Sequence, residues 1–431
     1  MTDLARSGYL DADNYSSALP ARSGSRTVTA IRSWLIVSLV PAAIVGFVTA
    51  ATIASSTAPT WALADPIPHV FDVAGPTPAG SLVVAAGGKL FLLHPTTGAL
   101  TRFAAGPKGY PGAGGEEPYI AVPPEAAVAH ADFGPGDVFV LQLKPAGGIL
   151  QIDSAGVARP FANVRGVDSL NGITFDGTGA FGYRLLVTGP HAHRTTVAAI
   201  DHTGAVNVIT NQAPTVEGGI AVAPSGFGLF ARDLIAPDEL SGTIYAIAPD
   251  GSTPVVTRPN LARGGDVGVE GAGFIPQVDD PSTLTAYFAD RGTPGNPHPG
   301  SDNLLAVPGS ELVREGALPG DLLVATEGGA ALVDVRCGVS SCAVRTVLPD
   351  NAVSHGEGHL LVVANAPAPT FSFGRGSAQV PPELDSDRRD RRPHRGVAGA
   401  RRLAHSAPAA SDEIRLTADA RPRGGGSSCS R

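Results

Sequence analysis

A hairpin repeated six times limits this chain more than any other feature. In each copy an apolar strand runs into a Gly-rich or acidic turn, and a second apolar strand ends at an Asp/Gly turn. The copies are SLVVAAGGKLFLLHPTTG from Ser81, DVFVLQLKPAGGILQIDSAG from Asp137, RLLVTGPHAHRTTVAAIDHTG from Arg184, DLIAPDELSGTIYAIAPDG from Asp233, LTAYFADR with the later DNLLAVP from Leu284, and DLLVATEGGAALVDVRCG from Asp321. Their starts lie 56, 47, 49, 51 and 37 residues apart. A unit of about 40–50 residues made of short strands cannot bury its apolar faces alone. Stacking such units around a ring solves that problem, and the result is a β-propeller.

A blade takes four strands. The outermost are expected at LTRFA, VARPF, AVNVI, TPVVT and AVRTVL, after the hairpins. The innermost are expected at YIAV from Tyr119, NGITF from Asn171, GIAV from Gly219 and GAGF from Gly271, before them. HLLVV from His359 follows the last hairpin and is expected to close the ring by joining the first blade, which removes an open edge. The final spacing of 37 is short for a blade. The reading is therefore an all-β, six-bladed propeller with one degenerate blade, closed by a C-terminal strand. Five blades with an extra hairpin is the alternative.

Charge and leader set the compartment. The formal charge of -8 is uneven: residues 1–64 carry net +1 and residues 375–431 net +5, which leaves -14 on the body. Such a body repels phosphate, excludes nucleic acid as a partner and favours a cation or a neutral ligand. Trp34 to Ala54 has no charge, Arg22, Arg26 and Arg32 precede it, and Ala62-Leu63-Ala64 offers a small-x-small cleavage site. Basic flank, apolar run and cleavage site together predict a signal peptide and a secreted or extracytoplasmic body. An uncleaved anchor is the alternative, since the run is long enough to span a bilayer. Pro41 and Gly46 weaken a permanent helix. The expected division is 1–64 leader, 65–372 propeller and 373–431 a disordered Arg-rich tail. Cys337 and Cys342 bracket Gly-Val-Ser-Ser, and an exported domain can close that pair as a disulfide. The expected partner is a small molecule or extracellular ligand, the expected state a monomer, and membrane contact runs only through the N-terminal segment if it is retained.

The inner strands carry a polar residue at one place in the repeat: Glu117, Asn171, Glu217, Glu270 and Glu357. Innermost strands line a propeller's channel, so these groups should face one another. Clustered carboxylates relieve their repulsion by holding protons, by water or by a cation. Oxygen donors without thiols point to a divalent ion of the calcium type. A solvated acidic rim is the plain alternative. His355, Glu357 and His359 alternate, so an extended segment would present all three on one face, as zinc ligands or beside a general base. Gly356 and Gly358 instead suggest a turn. Asp168 is either a second acid at the channel or a turn cap. His191 and His193 fall in a hairpin loop and read as exposed. No Gly-x-Ser-x-Gly and no phosphate loop is present.

LNGITFD followed by RLLVTG, together with GTIYAIAPDG, resembles the blades of the senescence-marker/gluconolactonase-like propellers, the last segment also those of NHL repeats. The resemblance runs from Asp137 to Gly251. It implies a calcium-type ion held in the channel by acids and amides, and metal-dependent lactone hydrolysis. Asn171 matches an amide ligand of that group. Glu217 and Glu270 fall at equivalent blade positions with a different residue type, and the group's catalytic aspartate has no counterpart here. Two functions are expected on these grounds: a metal-dependent hydrolase of the lactonase type, or a non-catalytic extracellular or cell-wall binding propeller.

Overall fold

The computed structural model describes residues 60–113 and 117–364. The apolar run 34–54, expected to be part of a leader, and the expected tail 373–431 lie outside the described residues. Six sheets of four antiparallel strands form a propeller. The chain enters on β1 (Ala62–Pro66). Blade one is β2 (Val70–Ala74), β3 (Leu82–Ala86), β4 (Lys89–His94) and β5 (Ala99–Phe103). Blade two is β6 (Ile120–Ala121), β7 (Val138–Gln142), β8 (Gly148–Ile152) and β9 (Ala158–Asn163). Blade three is β10 (Gly172–Phe175), β11 (Leu185–His191), β12 (Arg194–Ile200) and β13 (Val206–Ala213). Blade four is β14 (Ala221–Val222), β15 (Leu234–Asp238), β16 (Thr243–Ile247) and β17 (Val255–Thr257).

The last two blades are interleaved. Blade five starts on β18 (Val269–Phe274), but the chain then leaves it to build β19 (Leu284–Asp290) and β20 (Asn303–Pro308). It returns for β21 (Leu322–Thr326), β22 (Leu332–Cys337) and β23 (Cys342–Leu348), which complete blade five against β18. β24 (Gly356–Ala364) then pairs with β19, and blade six reads β24-β19-β20-β1.

Three expectations are corrected here. The HLLVV strand does close the ring, but against the Leu284 hairpin, because the first blade already has an inner strand of its own in VFDVA. GAGF pairs with the Asp321 hairpin rather than the Leu284 hairpin. The spacing of 37 marks two consecutive hairpins with no inner strand between them, so no blade lacks a strand.

Burial explains why strands at different radii read differently. β3, β15 and β21 are buried along their whole length, since both faces pack on neighbouring blades, and their sequences are unbroken apolar runs. The outermost β5, β9 and β13 are largely exposed and mix polar with apolar residues. The core lies between blades. Phe133, for example, meets Phe139 and Phe175 edge-on, with centroids 5.6 and 4.9 Å away. Each fully buried large side chain of this kind contributes about 1.5–3 kcal/mol. The Asp/Gly turns are built alike. Asp153 Oδ1 accepts the amides of Ala155 and Val157, Asp201 Oδ1 those of Thr203 and Ala205, while Gly156 and Gly204 take φ of 82° and 85°.

The ordered fold starts before Asp65. β1 pairs with β20 from Ala62 onward, and Trp61 is buried, its indole N–H donating to the Ala330 carbonyl at 2.7 Å. Cys337 and Cys342 face each other across the β22–β23 turn and are joined as a disulfide.

Candidate functional site at the acidic mouth of the channel

A cavity of about 200 Å³ at the inner-strand ends is lined by Glu117, Tyr119, Glu217, Glu239, Asp266, Glu270, Arg291, Thr293, Glu327, His355 and Glu357, with Gly265. Four of the five carboxylates and amides expected at inner strands therefore meet, in Glu117, Glu217, Glu270 and Glu357. Their glycine-rich flanks make this possible. Gly218 has φ of 86°, and a Cβ there would lie 2.3 Å from the Glu270 carbonyl oxygen. No other residue allows blades four and five to come so close.

The fifth, Asn171, does not line the cavity. Its amide is consumed inside the wall, donating to the Val216 carbonyl at 2.9 Å and accepting from the Thr188 hydroxyl at 3.1 Å. Asp168 is exposed, with its carboxylate 3.3 Å from His191 Nδ1, so it is no channel acid. Ala192 and His193 form the tip of that hairpin with positive φ, as an exposed turn should.

The alternating trio separates. His355 and Glu357 reach the mouth, whereas His359 turns into the channel wall. Gly358 has φ of 72° and β24 bulges opposite Tyr287–Ala289, which destroys the two-residue period. His355 Nε2 lies 3.1 Å from Glu327 Oε1 and 3.3 Å from Glu357 Oε1. Ligand atoms of these three residues all fall within 4.8 Å of one another, and all three side chains are buried. The backbone fixes them: the His355 amide donates to Asp290 Oδ1 at 2.7 Å, and the Gly356 amide to the Glu327 carbonyl at 2.7 Å.

The remaining charges surround this trio. Arg291 donates to Glu357 Oε1 at 3.0 Å and lies 3.6 Å from Glu117 Oε1. Tyr119 donates its phenol to Glu270 Oε1 at 2.7 Å. Burial pushes Glu270 well above the usual carboxylate range, and the nearby Glu357 and Glu327 add to it. Burial also raises Glu217 to about 7, helped by Glu117, Glu327 and Glu357. Glu239 rises to about 9 through burial and through its hydrogen bond to Glu327, so it holds the proton of that pair. Burial works against charge on Glu327 too, but hydrogen bonds from His355 and Glu239 outweigh it and hold Glu327 low. Burial likewise opposes charge on His355, and its bonds to Glu327 and Glu357 overcome that and raise it to about 9. Two buried atoms of the site are left without a partner: Glu239 Oε1 and His355 Nδ1. Such atoms carry a desolvation penalty and mark a site arranged for something else.

Glu239, Arg291 and Glu327 were not anticipated, although a signal exists. They stand at one repeat position, just past the second strand, in LIAPDE, YFADR and LLVATE.

His359 does other work. Its Nδ1 lies 2.9 and 3.0 Å from the two oxygens of Asp72, and its Nε2 lies 2.6 Å from the Ile173 carbonyl. Both ring nitrogens face acceptors, so both carry protons. Burial opposes that charge and Asp72 restores it. Asp72 also accepts the amides of Val73, Ile120 and His359. One ion pair thus joins the inner strands of blades six, one, two and three. A second cavity of about 230 Å³ is lined by residues of all six inner strands, His359 among them.

No protein-family model matches this chain, and no curated protein matches it in sequence. Solved propellers resemble it in fold. A streptogramin B lyase gives a TM-score of 0.38 at 11% identity, over 66% of this chain and 72% of that one. Regucalcin from Agrobacterium tumefaciens, described as a calcium-binding protein, gives 0.37 at 11% identity, over 66% and 77%. The extracellular domain of a one-component system from Bacteroides thetaiotaomicron gives 0.32 at 13% identity, over 64% and 34%. At these identities the likeness is one of fold alone.

Proposed function

We propose that this is an exported propeller which holds one divalent cation on Glu327, His355 and Glu357 and hydrolyses a small ester or lactone at that mouth. The observation that carries the reading is the buried trio of ligand atoms within 4.8 Å, beside two orphaned polar atoms. The donor set fits an ion, with one qualification to the expectation of calcium. Two carboxylates suit calcium or manganese, but an imidazole nitrogen favours zinc. A bound cation would polarise a carbonyl and acidify water. The protein's own part follows from its carboxyl groups. Glu217, raised to about 7, can take a proton at neutral pH, and Glu239, protonated to about 9, can return one. The disulfide and the -14 body support an extracytoplasmic setting and a small, neutral or cationic ligand.

A second reading has its own observation. Arg291 and His355 already lie against Glu357, so part of the acidic charge is balanced within the protein. In that case the mouth is a rigid polar rim and the propeller binds an extracellular or cell-wall partner without catalysis.

Elemental analysis of the purified protein, with an assay on a panel of small lactones and esters, separates the two. One equivalent of metal with cation-dependent hydrolysis supports the hydrolase. Metal without turnover leaves a cation-dependent binder. No metal, and no change in melting temperature on adding calcium, manganese or zinc, overturns the cation site and favours the second reading.

A further inference from the structure

The strand that opens the fold bears on how the leader is removed. Ala62-Leu63-Ala64 was the expected cleavage site, yet these three residues form most of β1, the outermost strand of blade six. Ala62 and Leu63 pair with Ala306 and Leu305, so a cut after Ala64 would delete two of the four residue pairs that attach β1 to β20. It would also delete Trp61. That side chain is 8% exposed and packs on Phe288 of blade six at a centroid distance of 6.2 Å. Its N–H donates to Ala330, which lies between β21 and β22 of blade five. Trp61 therefore links blade five to blade six, and its loss would leave a buried carbonyl unpaired and open a large cavity in their shared core.

We propose that the leader is cut between Ala54 and Trp61, so that the mature chain keeps Trp61 and the whole of β1. Ala54-Ser55-Ser56 supplies a small-x-small site there, directly after the apolar run. A cut at that point leaves several residues ahead of Trp61, and the strand that completes the last blade stays intact.

The inference rests on the export reading, and cell fractionation keeps the two apart. The full-length chain is expressed in a secreting host, and the intact mass of the material outside the cytoplasm is measured. An N-terminus between Ser55 and Trp61 supports the proposal, and one at Asp65 or later overturns it. An uncut chain in the membrane overturns the cut but not export, whereas an uncut chain in the cytoplasm overturns both. Trp61→Ala and Trp61→Phe in the full-length chain give a second readout. If Trp61 is retained, secreted Trp61→Ala melts several degrees below the parent, and Trp61→Phe falls between them. Identical melting temperatures for all three secreted proteins overturn the proposal, because they mean that residue 61 is no longer present.

Discussion

Asp72 and Glu327 are both buried carboxylates that face a histidine across about 3 Å, yet the two sites differ in every other respect. Around Asp72 and His359 every donor meets an acceptor: three amides and one imidazole reach the carboxylate, and the second ring nitrogen reaches a carbonyl. Around Glu327 and His355 the count does not close. Carboxylates outnumber cations, one proton serves two glutamates, and two polar atoms have no partner. A saturated buried network specifies structure, whereas an unsaturated one costs stability that something outside the chain can restore.

The largest effect that tests this contrast is expected at the saturated site. His359→Ala leaves Asp72 buried without its partner and should cost about 3–5 kcal/mol. Denaturant unfolding measures it, and a loss below about 1 kcal/mol would show that the pair is not what ties four blades together. The same truncation at the mouth, His355→Ala, should cost less, because one ring nitrogen of His355 has no partner and Arg291 still faces Glu357.

Cation binding comes next. A ligand that binds only the native state at a hundredfold excess over its dissociation constant stabilises it by about 2.7 kcal/mol. Glu327→Gln combined with Glu357→Gln should abolish that gain, and in the cation-free protein it also removes the carboxylates that hold His355 and Arg291. His355 must give up a proton to ligate, so affinity should rise with pH and level off near its own value of about 9. Calorimetric titrations at pH 6, 7 and 8 test the trend, and a flat response would remove His355 from the ligand set.

Without a cation, the pH dependence of folding has a definite sign. Glu217 and Glu239 hold protons up to about 7 and about 9, against 4.5 when unfolded. His355 holds its proton to about 9 against 6.5, so its stabilisation is complete below 6.5 and lost as pH rises through about 9. The native state therefore binds more protons than the unfolded chain from about pH 5 to about pH 9, and stability must fall across that window. Each excess proton steepens the slope by about 1.4 kcal/mol per pH unit. Glu239→Gln should flatten it, and a melting temperature that rises from pH 5 to pH 9 would contradict the proton assignments. The smallest effect is expected far from the channel, at the disulfide. Replacing Cys337 and Cys342 together should cost about 2 kcal/mol or less, since the closed loop is short.

What could be read in advance was what is local. Apolar runs and Asp/Gly turns act over a few residues, so the hairpins, the blade count and the Cys337–Cys342 bridge were legible. The glutamates at Glu117, Glu217, Glu270 and Glu357 were legible because repeat equivalence is a geometric constraint. Asn171 shares that register, but its amide is spent on Val216 and Thr188, which no local pattern reveals. Neither reading of His355, Glu357 and His359 holds whole: Gly356–Ala364 is a strand and not a turn, but Gly358 with positive φ breaks the alternation and sends His359 elsewhere. The exchange between blades five and six was invisible for a related reason. β18 and β21 are separated by a complete hairpin that belongs elsewhere, and pairing over such a distance leaves no trace in composition.

That exchange has a consequence for the order of assembly. A chain lengthening from its N-terminus can finish blades one to four in turn, each from consecutive residues. Blades five and six cannot follow suit: when Pro308 has been made, β18 still lacks β21 to β23, the β19–β20 hairpin has only β1 beside it, and its inner neighbour Gly356–Ala364 comes last. The final blade then takes its outer strand from the first residues of the fold and its inner strand from the last. Contacts of such long range form slowly. Pulse-labelled hydrogen exchange during refolding should accordingly find β19, β20 and β24 protected together and late, and until then their unpaired edges are where two immature copies would stick to each other.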